Sequence, residues 1–304
     1  MAVAGGGLDL KIAAEVAGAI AGGRGVVALE STLITHGLPW PENLDTARAS
    51  EEAVRRAGAV PATVALLGGV VRIGLDAQEL ERVAREPGGF LKAGRRDLGW
   101  AVARRLDAAT TVSATLRLAR TAGIGVMATG GLGGVHREAA TTFDVSNDLD
   151  ELARADGCLV VCSGVKSILD VPATLEQLET RGVLVVGYGT DEFPAFTTGS
   201  SGLPLDARVD TPGEAAAVVA AQRALALPGA VVLAQPVPEA DALDREAMET
   251  ALADALAEAR RQNVTGKAVT PFLLDRIRRA TGGRSLRANR ALVAANARLA
   301  GEVA

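Results

Sequence analysis

Several residue types are scarce in this sequence, and the shortages limit what it can be. Only 3% of its 304 residues are aromatic although 48% are hydrophobic, so alanine, valine and leucine must fill the interior. There are two cysteines, Cys158 and Cys162. As strand residues four apart they would be separated by about 13 Å, which is too far for a disulfide. We therefore expect two buried thiols in a reducing compartment, with the cytoplasm as the default.

Membrane-spanning and nucleic-acid-binding features are missing as well. No apolar run reaches the roughly 18 residues of a membrane helix. The first residues, MAVAGGGLDLKIAAEV, contain no basic segment followed by an apolar block, so we predict no signal peptide. The net charge is −4, with no basic patch or aromatic platform for nucleic acid. The expected partner is a small molecule rather than a membrane or a nucleic acid.

Lysine is also scarce, and one lysine stands out. Of the 32 basic residues only four are lysine: Lys11, Lys92, Lys166 and Lys267. Lys166 lies in VVCSGVKSILD, after an apolar run and before a helical segment, where desolvation and a positive helix end both favour the neutral amine. Arginine cannot lose its proton, whereas a neutral lysine amine is a nucleophile. The alternative is an ordinary surface lysine in a loop.

Short apolar runs alternate with longer amphipathic ones, which is typical of an α/β fold. We predict strands at 25–31, 62–69, 70–75, 125–130, 158–164, 183–189 and 230–237. We predict helices at 8–21, 43–57, 76–85, 113–122, 148–155, 172–181, 213–226, 239–261, 271–280 and 286–302. Gly68 and Gly69 indicate a hairpin. With no linker or repeat, the sequence predicts one domain over 1–304, a three-layer α/β/α fold with a mostly parallel or mixed central sheet and a helical C-terminal tail.

Polar residues follow four of the predicted strands. Glu30, Thr129, Ser163 and Tyr188, the only tyrosine, each come at or near a strand end. In open α/β sheets ligands bind outside the carboxyl ends of the strands. The sequence therefore predicts a site at that edge of the sheet.

Two stretches between these strands carry candidate ligand groups. TGGLGGVH, residues 129–136, could cradle a phosphate with backbone amides, or it could be a plain glycine-rich turn. In FDVSNDLDEL, Ser146 is a good N-cap, and Asp148 and Asp150 suit the positive end of a helix. Asp144 lies outside that helix, and a lone carboxylate with waters would suit Mg²⁺ or Mn²⁺.

Two further basic stretches are candidates for anion binding. FLKAGRRDLGW offers Lys92, Arg95 and Arg96, which could instead be a solvated charge run. NVTGKAVTPFLL offers Asn263, Thr265 and Lys267 ahead of a helix.

These stretches together resemble the pseudouridine-5′-phosphate glycosidase family, which is related to indigoidine synthase A. The resemblance covers residues 8 to 302 and departs from the family pattern at Gly94, at Gly99 or Trp100, and at Thr197, where the family usually has serine, proline and an aromatic residue. It is carried by the segments ALESTLITHGLPWPENLDTA, ATVALLGGVVRIGL, LKAGRRDL, TTVSATLRLA, GIGVMATGGLGGVHR, TFDVSNDL, VVCSGVKSILD, GYGTDEFPAF, NVTGKAVTPFLL and TGGRSLRANRALVAANA.

The resemblance implies an activity and a set of site residues. The family reversibly cleaves the C–C glycosidic bond of pseudouridine 5′-phosphate to uracil and ribose 5-phosphate in pseudouridine catabolism, and it is classed among the lyases. Lys166 matches the Schiff-base lysine, Glu30 the proton donor and Asp144 the ligand of one divalent metal ion per subunit, usually Mn²⁺. A homotrimer with an α/β/α fold is implied. The predicted substrate-binding residues are Lys92, Val112, Thr129, Gly130, Gly131, His136, Ser146, Asn147, Asp148 and Asn289.

This chemistry agrees with the residue types. A C-nucleoside must expel a ring carbon, and an iminium formed by Lys166 at C1′ can take the electrons of the breaking bond. Glu30 would protonate the uracil carbon as general acid, with His136 as a second proton carrier or phosphate contact. Three alternatives remain open: another Schiff-base enzyme such as an aldolase acting on a sugar phosphate, a role in an indigoidine pathway, and a non-catalytic sugar-phosphate sensor.

Overall fold

The computed structural model describes residues 9–264 and 266–304, so Thr265 and the side chain of Lys267 lie outside the described residues. Eleven strands form one sheet in the order β1-β4-β3-β2-β7-β8-β11-β9-β10, with β6 pairing β3 and β5. The strands are β1 (Leu10–Ile12), β2 (Val26–Leu29), β3 (Val60–Leu67), β4 (Val70–Ile73), β5 (Leu91–Ala93), β6 (Ala108–Thr110), β7 (Val126–Ala128), β8 (Leu159–Cys162), β9 (Leu184–Tyr188), β10 (Arg208–Val209) and β11 (Val231–Ala234).

Twelve α-helices are present in the described ranges. They are α1 (Ala14–Ala21), α2 (Glu42–Arg56), α3 (Ala77–Arg85), α4 (Leu98–Ala103), α5 (Val112–Thr121), α6 (Ala139–Thr142), α7 (Asn147–Leu152), α8 (Val171–Thr180), α9 (Pro212–Ala224), α10 (Arg245–Arg261), α11 (Val269–Ala280) and α12 (Arg284–Val303). A π-helical turn, Leu33–Gly37, follows β2. None of these helices combines the length and the apolar character needed to cross a bilayer.

The sheet is mostly parallel, as the sequence predicts. The antiparallel pairs are β3 with β4 and β3 with β6. The first of these is the predicted hairpin, in which Gly68 and Gly69 both have positive φ. Positive φ is costly for residues with a Cβ atom, so two glycines allow the tight connection.

Each face of the sheet has its own core, which gives the predicted three layers. Along β2, Val26 and Ala28 belong to one cluster of buried residues, and Val27 and Leu29 to the other. This alternation follows from the two-residue period of a strand. Residues of α5, α7, α8, α10 and α11 cover the first face, and residues of α2, α9 and the end of α12 cover the second.

Several predicted boundaries were wrong. The predicted helix 8–21 begins as β1, because Leu10 and Ile12 pair in parallel with Val71 and Ile73 of β4. The predicted helix 239–261 starts only at Arg245, where the Asp244 side chain caps the amide of Ala247. β5 and β6 were missed because three-residue, alanine-rich strands carry no readable period.

Both cysteines are buried and free, as predicted. Cys158 directly precedes β8 and Cys162 is the last residue of that strand, and burial raises the pKa of Cys162 to about 12. The thiolate is the reactive form of cysteine, so these thiols act as small apolar side chains.

Candidate active site

A cavity with a volume of about 480 Å³ opens at the carboxyl ends of the central strands. Because β2, β7 and β8 are parallel neighbours, their carboxyl ends meet at one edge of the sheet. Glu30 after β2, Gly130 after β7 and Lys166 beyond β8 therefore line the same space, which we call the catalytic cavity. Its location agrees with the strand-end site that the sequence predicts.

Glu30 is a buried carboxylate at the floor of the catalytic cavity. The hydroxyl of Thr32 donates to its Oε2 and the hydroxyl of Thr129 donates to its Oε1. The next residue, Ser31, donates to the Val64 carbonyl at 2.6 Å and accepts from the Thr110 amide at 2.9 Å. The backbone after β2 is thereby tied to β3 and β6, which fixes the position of the carboxylate.

The loop that carries Lys166 extends the ladder between β7 and β8. The Ser163 amide donates to the Gly130 carbonyl at 2.9 Å, and the Leu132 amide donates to the Gly164 carbonyl at 2.9 Å. The Lys166 amide then donates to the Leu132 carbonyl at 3.1 Å. The lysine is therefore held on a paired loop at the edge of the sheet, five residues before α8 begins.

A buried asparagine in α12 ties these strand ends together. The Asn296 Nδ2 donates to the Thr129 carbonyl at 2.9 Å and to the Ser163 hydroxyl at 3.1 Å. Its Oδ1 accepts from Gln235 after β11 at 3.0 Å. No motif or spacing indicates these contacts, which join residues more than 60 positions apart.

The glycines of the 129–136 loop are explained by close packing. A Cβ atom on Gly133 would lie 2.3 Å from the Ser146 Oγ, and one on Gly134 would lie 2.4 Å from the Thr174 side chain. Five of the loop amides already donate to protein acceptors: those of Thr129, Leu132, Gly133, Val135 and His136. The loop is thus a packed turn, and most of the amides proposed for a phosphate cradle are engaged.

Asp148 is a buried clamp between two parts of the cavity wall. Its Oδ1 accepts from the Ser113 amide at 2.9 Å, and its Oδ2 accepts from the Gly133 amide at 3.0 Å. Both carboxylate oxygens therefore hold the backbone of α5 and of the glycine loop. The predicted substrate contact is in the cavity lining, but its hydrogen bonds are structural.

His136 and Asp144 form the best candidate for a metal-binding pair. The His136 Nε2 lies 3.8 Å from the Asp144 Oδ2, and the Asp144 side chain is 42% exposed. Burial lowers the pKa of His136, with Lys92 and Lys166 acting in the same direction and Asp144 opposing them. At neutral pH the pair is therefore a neutral imidazole beside a carboxylate rather than an ion pair.

These donors suit an open metal site rather than a closed one. No group of three or more His, Cys, Asp and Glu side chains converges on a metal-sized space within residues 9–264 and 266–304. Mg²⁺ commonly binds through one or two carboxylates and several waters or substrate phosphates, so a single Asp144 carboxylate beside His136 fits a hard, water-rich cation. It does not fit a tetrahedral structural site.

The predicted basic stretch divides into two parts. Lys92 in β5 and Arg96 line the catalytic cavity. Arg95 was expected beside them, but its Nε lies 3.1 Å from the buried carboxylate of Glu151. Arg181 lines the cavity as well and pairs with Asp150 at 3.1 Å, a contact that the sequence did not indicate.

His36 adds a neutral imidazole to the cavity wall. It lies in the π-helical turn after β2, a conformation often found at functional sites. Burial, and secondarily the charge of Lys92, lower the pKa of His36 to about 4. The sequence predicts no role for this histidine.

Most of the predicted site residues line the catalytic cavity, but Val112, Thr129 and Tyr188, like Arg95 and Ser163, do not. Val112 is buried in the first turn of α5, between the lining residues Thr111 and Ser113. Thr129 lies beneath the wall and reaches the site through Glu30. Tyr188 packs in the core of the second face, so its strand end belongs to a different part of the sheet edge. The predicted residues in the lining are Glu30, Lys92, Gly130, Gly131, His136, Asp144, Ser146, Asn147, Asp148, Lys166 and Asn289.

Known proteins resemble this chain over nearly its whole length. The family model described as "Indigoidine synthase A like protein" matches residues 15–304. Pseudouridine-5′-phosphate glycosidase of Solibacter usitatus is 54% identical over 98% of this chain and 99% of that protein. The pseudouridine-5′-phosphate glycosidase of Streptomyces griseus is 57% identical over 96% of this chain and 90% of that protein. The crystal structure of a prealnumycin C-glycosynthase in complex with ribulose 5-phosphate is 42% identical, with a TM-score of 0.88 over 97% of this chain and 95% of the other.

Proposed function

The chain belongs to the indigoidine synthase A-like protein family, and from the geometry of its cavity we propose that it reversibly cleaves pseudouridine 5′-phosphate to uracil and ribose 5-phosphate. The observation that carries the proposal is that Lys166 and the buried Glu30 line one cavity at the ends of parallel strands. A nucleophilic amine and a carboxyl acid are the two groups that breaking a C–C glycosidic bond requires. Two relatives named pseudouridine-5′-phosphate glycosidase are 54% and 57% identical to the chain.

In the proposed mechanism Lys166 is the nucleophile and Glu30 is the acid. The Lys166 amine adds to C1′ as the C1′–O4′ bond breaks, so that the sugar ring opens, the amine loses a proton and O4′ gains one. Its lone pair then becomes the C=N bond while the bond between C1′ and C5 of uracil breaks, and that electron pair returns to the uracil ring. C5 takes its proton from Glu30, and water afterwards hydrolyses the imine to free the amine and ribose 5-phosphate.

Other residues of the cavity bind and orient the substrate. Lys92 and Arg96 are cations in the lining and suit the phosphate. A divalent cation such as Mn²⁺, held by Asp144 beside His136, would supply positive charge for the anionic substrate when bound. Asn289 and Asn147 each have a buried Oδ1 without a hydrogen-bond partner among the described residues, so both can accept from a bound ligand. We also propose, from the family resemblance, a homotrimer in the cytoplasm that serves pseudouridine catabolism.

The direct test is uracil release from pseudouridine 5′-phosphate in the presence of Mn²⁺, followed by chromatography. We expect release by the wild-type protein and none by Lys166→Arg, which keeps the charge but cannot become a free amine. Ribose 5-phosphate with borohydride should add a reduced sugar phosphate to Lys166. Adducts on Lys92 or Lys267 instead would contradict the assignment of the nucleophile.

The same assay separates the alternatives. An aldolase would cleave the sugar carbon chain without releasing uracil, and a sensor would bind ribose 5-phosphate without any turnover. An indigoidine-pathway role or a C-glycosynthase role, as in the structural relative, would require a substrate other than uracil.

Metal dependence has its own test. Excess chelator should abolish uracil release and Mn²⁺ should restore it. Asp144→Ala should remain folded, because that side chain is 42% exposed, yet it should lose at least about tenfold in activity. Full activity in chelator would assign Asp144 a purely structural role.

A further inference from the structure

A second cavity adjoins the catalytic cavity and has no part in the mechanism above. It has a volume of about 300 Å³, at the lower end of the roughly 300–1,000 Å³ typical of small-molecule sites. Its residues come from the π-helical turn, from the segment after Lys166 and from α10, α11 and α12, and we call it the side cavity. Five residues line both cavities and form their common wall: His36, Gly37, Phe196, Leu274 and Asn289.

The side cavity contains three buried polar atoms that lack a hydrogen-bond partner among the described residues. They are the hydroxyls of Ser167 and Thr197 and the Oδ1 of Asn289. The three residues are 7%, 2% and 7% exposed, respectively. A buried polar group without a partner is destabilising, and such groups in native proteins commonly mark a missing water or ligand. Three of them on one cavity indicate a polar occupant.

The charge of the side cavity indicates a neutral occupant. Arg278 and Asp275 at its rim pair with each other at 2.8 Å, with side chains 38% and 39% exposed. His36 is uncharged at neutral pH because burial lowers its pKa to about 4. The other lining residues are uncharged: apolar side chains such as Met248, Ile277 and Leu286, and the hydroxyl residues Thr35 and Ser285. The catalytic cavity, in contrast, contains Lys92, Arg96 and Lys166.

This division of charge matches the two products of the proposed reaction. Ribose 5-phosphate is an anion and suits the catalytic cavity, whereas uracil is neutral, planar and rich in hydrogen-bonding groups. We propose that the side cavity is a second binding site for the free nucleobase, which uracil occupies after cleavage and before bond formation in the reverse direction. Asn289 lies in the common wall and can contact the base on either side.

The proposal rests on the proposed function for the identity of the base, and it gives that reaction a physical advantage. In the direction of synthesis, the sugar phosphate attached to Lys166 occupies part of the catalytic cavity. A base held in the side cavity would already lie next to that intermediate, across the common wall.

The test removes the two unpartnered hydroxyls with small changes in side-chain size: Thr197→Val replaces the hydroxyl by a methyl group, and Ser167→Ala deletes one atom. In the Ser167→Ala/Thr197→Val double variant no protein hydrogen bond is lost, so it should fold at least as stably as the wild type. Binding of radiolabelled uracil is measured by equilibrium dialysis, and KM for uracil is measured in the direction of synthesis. We expect the affinity for uracil to fall by at least about tenfold and KM for uracil to rise by at least about tenfold. KM for ribose 5-phosphate should stay within about twofold of the wild-type value.

Thr198→Val is the matched control, because Thr198 is buried next to Thr197 but lines a different cavity and donates to the Ala195 carbonyl at 3.1 Å. It should leave uracil binding unchanged. The single Ser167→Ala variant replaces the double variant if the latter does not fold. Unchanged uracil binding and KM in the variant, or no detectable binding of uracil to the wild type at millimolar concentration, would overturn the proposal.

Failure of the proposed function has a different signature. If the wild type binds uracil, the double variant does not, and pseudouridine 5′-phosphate is not cleaved, then the nucleobase site stands and the reaction must be reassigned. If the wild type cleaves the substrate and the double variant retains normal uracil binding, only the side cavity has been misinterpreted.

Discussion

Glu30 is held between two hydroxyl groups, and that arrangement defines the first prediction. Thr32 and Thr129 each donate to one of its carboxylate oxygens. Glu30→Gln keeps the shape of the side chain but cannot deliver an acidic proton to the departing carbon. We expect kcat for uracil release to fall by about 10²- to 10⁴-fold, the usual contribution of a general acid, with little change in substrate affinity.

The intermediate provides the check on this prediction. Because amine attack does not need Glu30 in the proposed mechanism, the variant should accumulate an adduct on Lys166 that still carries the base. Native mass spectrometry of the variant with pseudouridine 5′-phosphate would detect it. Near-normal uracil release would remove Glu30 from the mechanism and move the acid role to His136.

His36 makes folding stability depend on pH. Its pKa falls from 6.5 in the unfolded chain to about 4 in the folded protein, chiefly because of burial. Between these values the unfolded chain binds more protons, so stability is complete above about pH 6.5 and is lost as the pH falls toward 4. His36→Gln should therefore lose less stability than the wild type between pH 7 and pH 4.5.

Urea unfolding at several pH values measures this difference. Burial also lowers the pKa of His136, so part of the acid destabilisation should remain in the variant. An identical slope of unfolding free energy against pH in the two proteins would show that His36 titrates normally.

At the scale of secondary structure, what the sequence could predict depended on element length. β2, β7 and β8 are bounded by glycine and polar residues, and parallel pairing then brings their carboxyl ends to one edge. That reasoning was enough to group Glu30, Thr129 and Lys166. The pairing of the 130–136 loop with the 164–169 loop depends on contacts between loops, which leave no period in the sequence.

Gly164 tests how strictly the Lys166 loop depends on this pairing. It has a φ of 78°, and a Cβ atom there would lie 1.9 Å from the Pro194 carbonyl oxygen. Gly182 has a φ of 70° with open space around it, so it is the matched control. Gly182→Ala should cost about 1–2 kcal/mol of unfolding free energy from backbone strain alone.

Gly164→Ala should cost clearly more, because the overlap forces the loop to move, and it should also reduce kcat by displacing Lys166. Denaturant unfolding and uracil release measured on both variants separate strain from displacement. Equal losses in the two variants would mean that the loop adapts without cost.

At the scale of the whole molecule, α12 explains what the sequence could not reveal. Asn289 and Asn296 lie seven residues apart on one face of this helix, one in the wall shared by the two cavities and the other binding the ends of β7 and β8. The helical pattern of 286–302 was predictable from its period. Which strands it packs against follows only from the tertiary fold, so neither the role of Asn296 nor the side cavity could be predicted.

An exposed phenylalanine beside the catalytic cavity carries the last prediction, which concerns assembly. Phe143 is 85% exposed and has a φ of 56°, and Val145 two residues later is 40% exposed. Exposed apolar groups next to a functional site often mark an interface, and a bulky residue at positive φ is held there at a cost in energy.

We expect light scattering to give about three times the chain mass of 31.0 kDa for the wild type. Phe143→Asp should shift this toward one chain, whereas Leu225→Asp, at a residue 69% exposed in the turn after α9, should not. A Phe143→Asp protein with the wild-type mass would place the subunit contacts elsewhere, and a monomeric wild type would refute the trimer itself.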